Sequence, residues 1–502
     1  MCSLEAYIAH HAVHRPDKLA IVCGQDRCTY ADLQARINSQ LSTLNSQLST
    51  LNSNIVPLRA SSTIDFLVTY FALHRLGLVA APLERDMPEE AFQRVSAELT
   101  AHRCPAGTAD VLYTTGTTGR SKGVMVSHKA ILADAENLIA GQGFTENLNF
   151  VVNGPLNHIG SLSKVYPVML LGATLIIVDG LKDLNAFFAA FTYPETLNSQ
   201  LSARPNGTLA QARTLNSIYA TFLVPASVRI LLQLASDRLA ALADRLDFIE
   251  TGAAAMAQAD MEALCRLLPN TRLYNTYAST ETGIICTHNF QIENRKSVNE
   301  IENRKSVNEI ENRKSVNEIE NRKSVNRKCA PGCLGRPMPH SNVYITEAGL
   351  IACTGDTLMT GYVGEPERTA QVLRDGVLYT SDLGTIDSEG RLHLQGRQDD
   401  VINVGGFKVA PTEVEDAAMS HPSVADCICI AVDHKITGKA LKLLVVLADN
   451  SQFSILNSQF KRALARFLST RLEPFKVPML YEQVDSIRRT FNGKLDRKSY
   501  TS

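Results

Sequence analysis

The apolar positions of this chain alternate between short continuous runs and longer periodic stretches. Thr174–Val178 is a continuous apolar run, which is typical of a buried strand, whereas the apolar residues of Ala257–Leu268 recur at helical spacing. Strands that alternate with helices in this way indicate an α/β architecture.

The pattern changes near Gln398. Beyond it, Leu441–Leu447 predicts a strand and Phe460–Leu472 predicts an amphipathic helix, so that this stretch has the pattern of a compact α+β unit. A chain of 502 residues has room for two to four domains. We therefore expect a large N-terminal α/β domain over residues 1–396 and a small C-terminal α+β domain over residues 397–502.

Repeated sequence segments interrupt this alternation of strands and helices. A nine-residue repeat, rich in charge and poor in apolar residues, runs from Ile292 to Asn326, and a second repeat fills residues near 38–54. Fragments of the second repeat return within 195–217 and at Leu456–Gln459. The nine-residue unit carries too few apolar residues to stack as a solenoid. We interpret the repeats as insertions that surface loops tolerate, because the entropic cost of closing a flexible loop rises only slowly with its length.

Composition narrows the class of protein. Apolar residues make up 45% and charged residues 20%, which is close to the average for soluble globular proteins. The net charge of −1 lacks the basic excess that is typical of nucleic-acid-binding proteins. The 11 cysteines match neither a disulfide framework nor a zinc pattern, and Cys427 and Cys429 are predicted to be buried strand thiols. The N-terminus lacks the pattern of a signal peptide, and no apolar run approaches the roughly 18 residues of a membrane span. We expect a cytoplasmic protein.

The sharpest local motif begins at Asp110. Val111–Tyr113 predicts a strand, Val124–Val126 resumes an extended run, and Ser127 is predicted to cap the next helix. The loop between them is rich in glycine, hydroxyls and one cation, which together can surround a phosphate. A glycine-rich hairpin without a ligand would show the same local pattern, and the spacing is not that of a Walker loop. The candidate phosphate-binding residues are Thr114, Thr115, Gly116, Thr117, Thr118, Gly119 and Lys122.

This loop resembles the phosphate-binding signature of the ANL superfamily of adenylate-forming enzymes, which includes acyl-CoA synthetases, adenylation domains of peptide synthetases and luciferases. Thr115 stands where serine is usual, and Ser121 replaces the common proline. Neither change removes a phosphate donor. The resemblance implies the ANL fold, with a large N-terminal α/β domain of several subdomains and a small, mobile C-terminal α+β domain.

Further motifs follow in the order of that superfamily. Tyr277–Glu281 resembles its next motif with Ala278 in the glycine place, which implies that Tyr277 contacts the nucleotide, that Thr280 touches the α-phosphate and that Glu281 binds Mg²⁺. The Tyr379–Gly384 segment resembles the ribose-binding motif. Its Asp382 would accept both ribose hydroxyls, Arg397 would also meet the nucleotide, and Asp399 would be the hinge between the two domains.

The remaining motifs concern the acid and the thiol. His158 matches a histidine that lines the acid pocket, although a histidine satisfied within the core would have the same local sequence. Small residues at Gly252 and Ala253 correspond to the strand against adenine. The segment with Gly405, Gly406 and Lys408 resembles a loop that lies along the pantetheine tunnel in acyl-CoA synthetases, which implies that these residues are near the entering thiol.

Lys494 matches the catalytic lysine near the C-terminus of these enzymes. A cation that bridges the attacking carboxylate and the α-phosphate reduces their mutual repulsion in the transition state. With Thr280 and His158, Lys494 completes the set of predicted catalytic residues.

The resemblance implies a function. The chain would use ATP and Mg²⁺ to activate a small carboxylic acid as its acyl-AMP and would then pass the acyl group to coenzyme A. A stand-alone enzyme that loads a carrier protein is an alternative, because Asn492–Lys498 also resembles the ending of peptide-synthetase domains. A non-catalytic ATP-binding relic is a second alternative, and a luciferase-like oxygenase is disfavoured only because such enzymes are rare.

Overall fold

The fold is taken from a computed structural model. It describes residues 3–48, 52–114, 122–192, 218–291, 332–435, 437–448, 458–490 and 495–500.

The described part of the chain contains 24 strands, which are numbered here in chain order. They are β1 Leu19–Cys23, β2 Asp26–Thr29, β3 Ile55–Arg59, β4 Val79–Leu83, β5 Thr108–Thr114, β6 Lys122–Ser127, β7 Leu148–Val152, β8 Thr174–Ile177, β9 Ile218–Leu223, β10 Leu246–Thr251, β11 Arg272–Ser279, β12 Gly283–Asn289, β13 Cys333–Pro337, β14 Ser341–Ile345, β15 Leu350–Gly355, β16 Gly361–Tyr362, β17 Leu373–Arg374, β18 Val377–Ile386, β19 Leu392–Arg397, β20 Ile402–Val404, β21 Phe407–Val409, β22 Val424–His434, β23 Gly438–Leu447 and β24 Leu480–Gln483.

The helices cover the faces of these sheets. They are α1 Leu4–His14, α2 Tyr30–Leu48, α3 Ile64–Arg75, α4 Glu89–Thr100, α5 His128–Gln142, α6 Ile159–Leu171, α7 Leu184–Ala189, α8 Pro225–Leu234, α9 Ser236–Ala240, α10 Gln258–Leu267, α11 Pro366–Val372, α12 Pro411–Met419 and α13 Ser458–Ser469. The observed β8 and α10 confirm the strand and helix predicted at these positions. Ser127 caps α5 as predicted, because its side chain accepts a hydrogen bond from the Ala130 N–H.

The largest sheet has a parallel centre. Its strand order runs β14-β15-β18-β19-β13-β12-β11-β10-β9-β7-β8-β1-β2. Strands β8, β7, β9, β10 and β11 are parallel neighbours, whereas the strands from β12 towards β14 pair antiparallel. Because parallel strands point the same way, the carboxyl ends of β7, β9, β10 and β11 lie at one edge, which is where ligands bind in open α/β sheets.

A second sheet carries the glycine-rich motif. Its order is β16-β6-β5-β4-β3, in which β5 and β6 form an antiparallel pair that brings Thr114 opposite Lys122. Apolar residues from α3, α5 and α6 belong to one buried cluster with residues of both sheets. The loop between β5 and β6 is therefore held by two strands that are rooted in the main core.

The C-terminal unit has its own core. It contains the β20-β21 hairpin, the β22-β23-β24 sheet and the two helices α12 and α13. Side chains such as Val414, Leu443 and Phe460 form a separate buried cluster. This arrangement confirms the predicted large α/β domain followed by a small α+β domain. The boundary between residues 396 and 397 stays a prediction.

Charged contacts join the small domain to the large one. Arg229 on α8 pairs with Asp260 on α10 at 2.7 Å and with Asp426 on β22 at 2.9 Å. Asp426 is also paired with Arg489 at 2.7 Å. The backbone N–H of Gln258 donates to the Asp416 carboxylate at 2.8 Å. The two domains therefore meet through hydrogen bonds and ion pairs, which can exchange more readily than an interlocked apolar interface.

One repeat departs from the expected surface loop. Residues 38–48 continue helix α2, and Leu44 within them is buried in the main core. An apolar residue recurs there at a spacing that extends the buried stripe of α2, which explains why the repeat is accommodated as helix. The repeats within 195–217 and 292–326 lie outside the described residues.

Two further predictions concern membranes and thiols. Across the described segments, the helices are all too short or too polar to cross a bilayer. Cys427 and Cys429 are buried on β22, as predicted, and burial raises the pKa of both thiols. Such thiols are poor nucleophiles, so they behave as packing residues.

Candidate active site

The candidate site lies where the parallel strands end. His158 follows β7, Phe222 is near the end of β9, Gly252 follows β10 and Thr280 follows β11. The chain thus brings together residues that are more than a hundred positions apart in sequence. The turn between β11 and β12 lies at the same edge.

Tyr277, Asp382 and Arg397 form one connected group. The buried Tyr277 hydroxyl donates to Asp382 Oδ2 at 2.7 Å, while Arg397 Nε lies 3.2 Å from Asp382 Oδ1. Asp382 and Arg397 face each other across β18 and β19. Burial, reinforced by the Asp382 carboxylate, raises the pKa of Tyr277 well above its usual value. Tyr277 therefore remains a neutral donor that orients a carboxylate suited to accepting hydroxyl hydrogen bonds.

Thr280 and Glu281 lie on the tight turn between β11 and β12. The Ser279 and Thr282 side chains hold this turn, because each accepts a hydrogen bond from the other residue's backbone N–H, at 3.1 and 2.9 Å. Both Thr280 and Glu281 are half-buried. These two hydrogen bonds fix the conformation of the turn, which carries the Thr280 hydroxyl and the Glu281 carboxylate at its tip.

Tyr362 connects Glu281 to the glycine-rich strand pair. Its hydroxyl donates to Glu281 Oε1 at 3.1 Å, and the Lys122 ammonium lies 5.0 Å from its ring centre. Burial and the nearby Arg368 lower the pKa of Lys122, although Glu281 opposes this effect. Sequence reasoning missed Tyr362. Its only sequence signal is the Gly361-Tyr362 pair, which forms the short edge strand β16 beside β6.

Glu281 fits a magnesium ligand. One of its oxygens accepts from Tyr362, and the other makes no hydrogen bond within the described residues. Carboxylate oxygens are preferred Mg²⁺ ligands, and Mg²⁺ in such sites is usually completed by substrate phosphates. The neighbouring Lys122 could contact the same phosphates.

Part of the predicted phosphate loop lies outside the described residues. Thr114 ends β5 and Lys122 begins β6, so these two residues are paired strand residues and not part of the loop in which the sequence predicted them. Thr115, Gly116, Thr117, Thr118 and Gly119 are not among the residues that the structure describes. Their proposed contacts with phosphate stay predictions.

Gly252 and Ala253 follow β10 in a crowded place. A Cβ on Gly252 would lie 3.1 Å from the Thr276 carbonyl oxygen, so that a larger residue would push the strands apart. Ala253 has a φ of 67°, a left-handed conformation that is unfavourable for residues with a side chain. The backbone therefore turns sharply just after the end of β10.

His158 is the N-cap residue of α6, and its Nε2 lies 3.4 Å from the Asn157 amide nitrogen. The side chain is half-buried, whereas Asn157 is buried. The structure therefore places His158 at the strand-end edge. A role in the acid pocket is compatible with this position and stays a prediction.

The hinge and thiol-loop candidates lie on exposed backbone. Asp399 is exposed in a short 3₁₀ turn between β19 and β20. Gly405 and Gly406 have φ values of 58° and 96°, which a two-residue hairpin turn between β20 and β21 requires. Lys408 is exposed on β21. These residues form a separate group from the Tyr277 and Asp382 contacts.

Lys494 lies outside the described residues, but the segments on either side are placed. Arg489 and Leu495 form a backbone bridge, and Arg489 pairs with Asp426. Since Asp426 also binds Arg229, the segment around Lys494 is connected to the large domain through a chain of charges. The catalytic role of Lys494 stays a prediction.

Comparison with known proteins identifies the family. The profile of the AMP-binding enzymes matches residues 8–104 and 97–363, and the profile of their C-terminal domain matches residues 413–494. Feruloyl-CoA synthase from an Amycolatopsis species is 28% identical over 96% of this chain and 94% of its own length. Acyl-CoA synthetase ALT10 from Alternaria alternata is 28% identical over 76% of this chain, and the match spans 63% of that protein.

Solved structures share the fold. ATP-bound MatB from Rhodopseudomonas palustris superposes with a TM-score of 0.77 at 20% identity, over 100% of this chain and 99% of that one. o-Succinylbenzoate-CoA synthetase from Bacillus subtilis, in complex with an acyl-adenylate, gives a TM-score of 0.72 at 19% identity, over 99% and 98% of the two chains. These relatives confirm the predicted superfamily and the predicted class of AMP-forming acid–thiol ligase. The chain therefore belongs to the AMP-binding enzyme family, within the ANL superfamily of adenylate-forming enzymes.

Proposed function

We propose that this chain activates a carboxylic acid with ATP, releases pyrophosphate to form an acyl-AMP, and transfers the acyl group to the thiol of coenzyme A. The observation that carries the proposal is the linked site of Tyr277, Asp382 and Arg397 beside the Glu281 turn. It offers a ribose acceptor, a metal ligand and phosphate donors at one strand-end edge. The match to feruloyl-CoA synthase, which extends over almost the whole length of that protein, supports the same reaction.

The nucleotide would be held by groups of opposite charge. Asp382, oriented by Tyr277, would accept the ribose hydroxyls, and Arg397 would add a donor beside it. Lys122 and Thr114, at the two ends of the glycine-rich loop, would contact the phosphates. Glu281 would hold Mg²⁺, which when bound neutralises phosphate charge.

The attack step needs a further cation. An acid carboxylate and the α-phosphate are both negative, and their approach is opposed unless a cation lies between them. Lys494 would supply that charge, and Thr280 would donate to the α-phosphate. His158 would orient the acid at the end of β7. Gly252 and Ala253 would leave room for the adenine ring.

The second half-reaction would use another part of the small domain. Rotation about Asp399 would replace Lys494 at the site by the exposed Gly405-Gly406 hairpin, past which the pantetheine thiol would enter, beside Lys408. A thiolate would then displace AMP from the acyl carbon. Using one cleft for two steps in turn requires a domain contact that can be broken and remade.

The proposal is tested by acid-dependent exchange between ATP and pyrophosphate, across aromatic, fatty and amino acids without coenzyme A. We expect exchange with one class of acid. Asp382→Asn should lower kcat/KM for ATP by about 100-fold or more, because the ribose loses a charged acceptor. Asp375→Asn, on a hairpin turn outside the site, is the matched control. Absence of exchange with every acid in protein that still binds ATP would favour the non-catalytic relic.

The thiol acceptor needs a separate experiment. Acyl-AMP formed in advance is offered to coenzyme A and to a phosphopantetheine-bearing carrier protein in competition. The proposal expects acyl-CoA to form first. Preferential loading of the carrier would favour the alternative function of a stand-alone adenylating enzyme.

A further inference from the structure

A buried ion pair lies next to the candidate acid pocket. Lys164 Nζ is 2.7 Å from Glu250 Oε1, and both side chains are 1% exposed. Lys164 is on α6, the helix that begins after His158, and Glu250 is on β10, two residues before Gly252. A lysine within an apolar helix and a glutamate within an apolar strand are costly to bury, and such groups often have a function.

Phe222 places this pair relative to the site. The Lys164 ammonium lies 5.1 Å from the centre of the Phe222 ring. The same ring would be 3.3 Å from a Cβ on Gly160 and 3.5 Å from a Cβ on Gly252. One ring therefore lies close both to the ion pair and to the backbone that follows His158 and β10. The pair is therefore buried directly beside the strand-end edge.

The hydrogen bonds of the pair are incomplete. Among the residues that the structure describes, the buried Glu250 Oε2 has no hydrogen-bond partner, and neither has Ser163 Oγ on α6. Within the described residues, Lys164 donates one hydrogen bond, to Glu250, although an ammonium has three N–H groups. Buried polar groups in native proteins nearly always have partners. An unfilled acceptor beside unfilled donors is a feature that a ligand can satisfy.

The charges indicate which ligand group fits. A second carboxylate would face Glu250, and an ammonium would face Lys164, so that each would meet one repulsive partner. A hydroxyl has no net charge and can act as donor and acceptor at once. It can donate to Glu250 Oε2 while it accepts from Lys164.

We propose that Lys164 and Glu250 select carboxylic acids that bear a hydroxyl group at the end remote from the carboxylate. The inference rests on the proposed function and adds the substrate class to it. A site that pairs buried polar groups with a substrate hydroxyl discriminates strongly against the analogue that lacks it, because those groups then stay unpaired. We expect a preference of about 100-fold or more in kcat/KM.

The test compares acids that differ in one hydroxyl. The pairs are p-hydroxycinnamate with cinnamate, p-hydroxybenzoate with benzoate and ω-hydroxydecanoate with decanoate, each measured by ATP–pyrophosphate exchange. In at least one pair the wild type should prefer the hydroxylated acid. A ratio near one in every active pair would overturn the inference while leaving the proposed function intact. Exchange with none of these acids, nor with any acid of the wider panel, would overturn both.

Variants separate recognition from a merely structural role. Replacing both members, Lys164→Met with Glu250→Leu, avoids an unpaired buried charge, and such replacements often preserve the fold. This double variant should adenylate the acid without the hydroxyl at least as well as the hydroxylated one. The control is Arg272→Met with Asp247→Leu, which removes an ion pair from the opposite end of β10. A double variant that keeps the wild-type ratio at an altered melting temperature would contradict the proposal.

Discussion

Among the described residues, Ala253 has the backbone conformation that suits its side chain least. Its φ of 67° costs a non-glycine residue about 1 kcal/mol or more. Ala253→Gly should therefore raise the melting temperature by about 1–2 °C, measured by calorimetry. Asp375→Gly is the matched control, since Asp375 also has a positive φ, of 51°, but aspartate tolerates that region better. A lower melting temperature for Ala253→Gly would show that the turn is not strained.

Tyr362 offers a second prediction for a single residue. Tyr362→Phe removes the hydroxyl that donates to Glu281 but keeps the ring beside Lys122. A hydrogen bond to a charged group contributes about 1.5 kcal/mol, so kcat/KM for ATP should fall by about tenfold. The exposed Tyr344→Phe serves as the control. Unchanged kinetics at limiting ATP and Mg²⁺ would show that Tyr362 does not position Glu281.

Single residues also show where prediction from sequence stops. The Tyr277, Asp382 and Arg397 group could be anticipated because each lies in a motif with a fixed order along the chain. Tyr362, Lys164 and Glu250 lie outside those motifs. Their importance depends on contacts across strands and helices, which a linear pattern does not contain.

At the scale of secondary structure, helix α3 carries a charged centre into the core. His74 Nδ1 is 3.0 Å from Glu5 on α1, and its Nε2 is 2.9 Å from Asp110 on β5. The Tyr70 hydroxyl also donates to Asp110, at 2.7 Å. Three elements are thus joined at the strand that leads into the glycine-rich loop.

This centre should make stability depend on pH. Burial favours neutral His74, but the Asp110 and Glu5 carboxylates outweigh it and raise the pKa of His74 to about 10 from an ordinary value of 6.5. A raised pKa stabilises the fold below about pH 6.5, and the benefit is lost as the pH rises toward about 10. The free energy of unfolding should fall by a few kcal/mol, on the order of the shift, across that range.

The measurement is denaturant unfolding at several pH values for the wild type and His74→Gln. The variant carries no titrating ring, so its stability should change less over the same range. Parallel profiles for the two proteins would contradict the assigned role of His74.

Secondary structure itself was largely predictable. Strands such as β8 and helices such as α10 follow clear sequence patterns, and their observed ends differ from the predicted ones by at most one residue. The repeat at 38–48 was harder to predict, because its polar composition indicates a loop while Leu44 packs into the core. Tertiary packing decides whether such a segment forms a helix or a loop.

At the scale of the whole molecule, the longest repeat interrupts two neighbouring strands. Strand β12 ends at Asn289 and β13 begins at Cys333, and the two pair antiparallel through Cys286 with Pro337 and Thr287 with Arg336. The intervening segment therefore begins and ends at the same end of this strand pair. A much shorter connection could close this hairpin.

Excision of residues 292–326 should leave kcat/KM for adenylation within about threefold of the wild-type value, because shortening a flexible loop changes its closure entropy only slightly. The measurement is ATP–pyrophosphate exchange, with circular dichroism to verify the fold. A folded protein without exchange activity would refute the interpretation of this repeat as a tolerated insertion.

The order of domains could be predicted because the chemistry-bearing motifs and the change in periodicity near Gln398 agree. The contact between the domains could not. It depends on Arg229, Asp426 and Arg489, which come from three distant parts of the chain and lie in no common motif.

Acyl-adenylate formation is tested by a single-turnover reaction of the enzyme with Mg·ATP and an accepted acid, which is quenched and analysed for nucleotide products. Acyl-adenylate and pyrophosphate should form in equal amounts. Lys494→Ala should slow this step by about 100-fold or more while largely sparing the reaction of supplied acyl-AMP with coenzyme A. Formation of ADP and phosphate, or equal loss of both half-reactions in Lys494→Ala, would contradict the proposed two-step reaction.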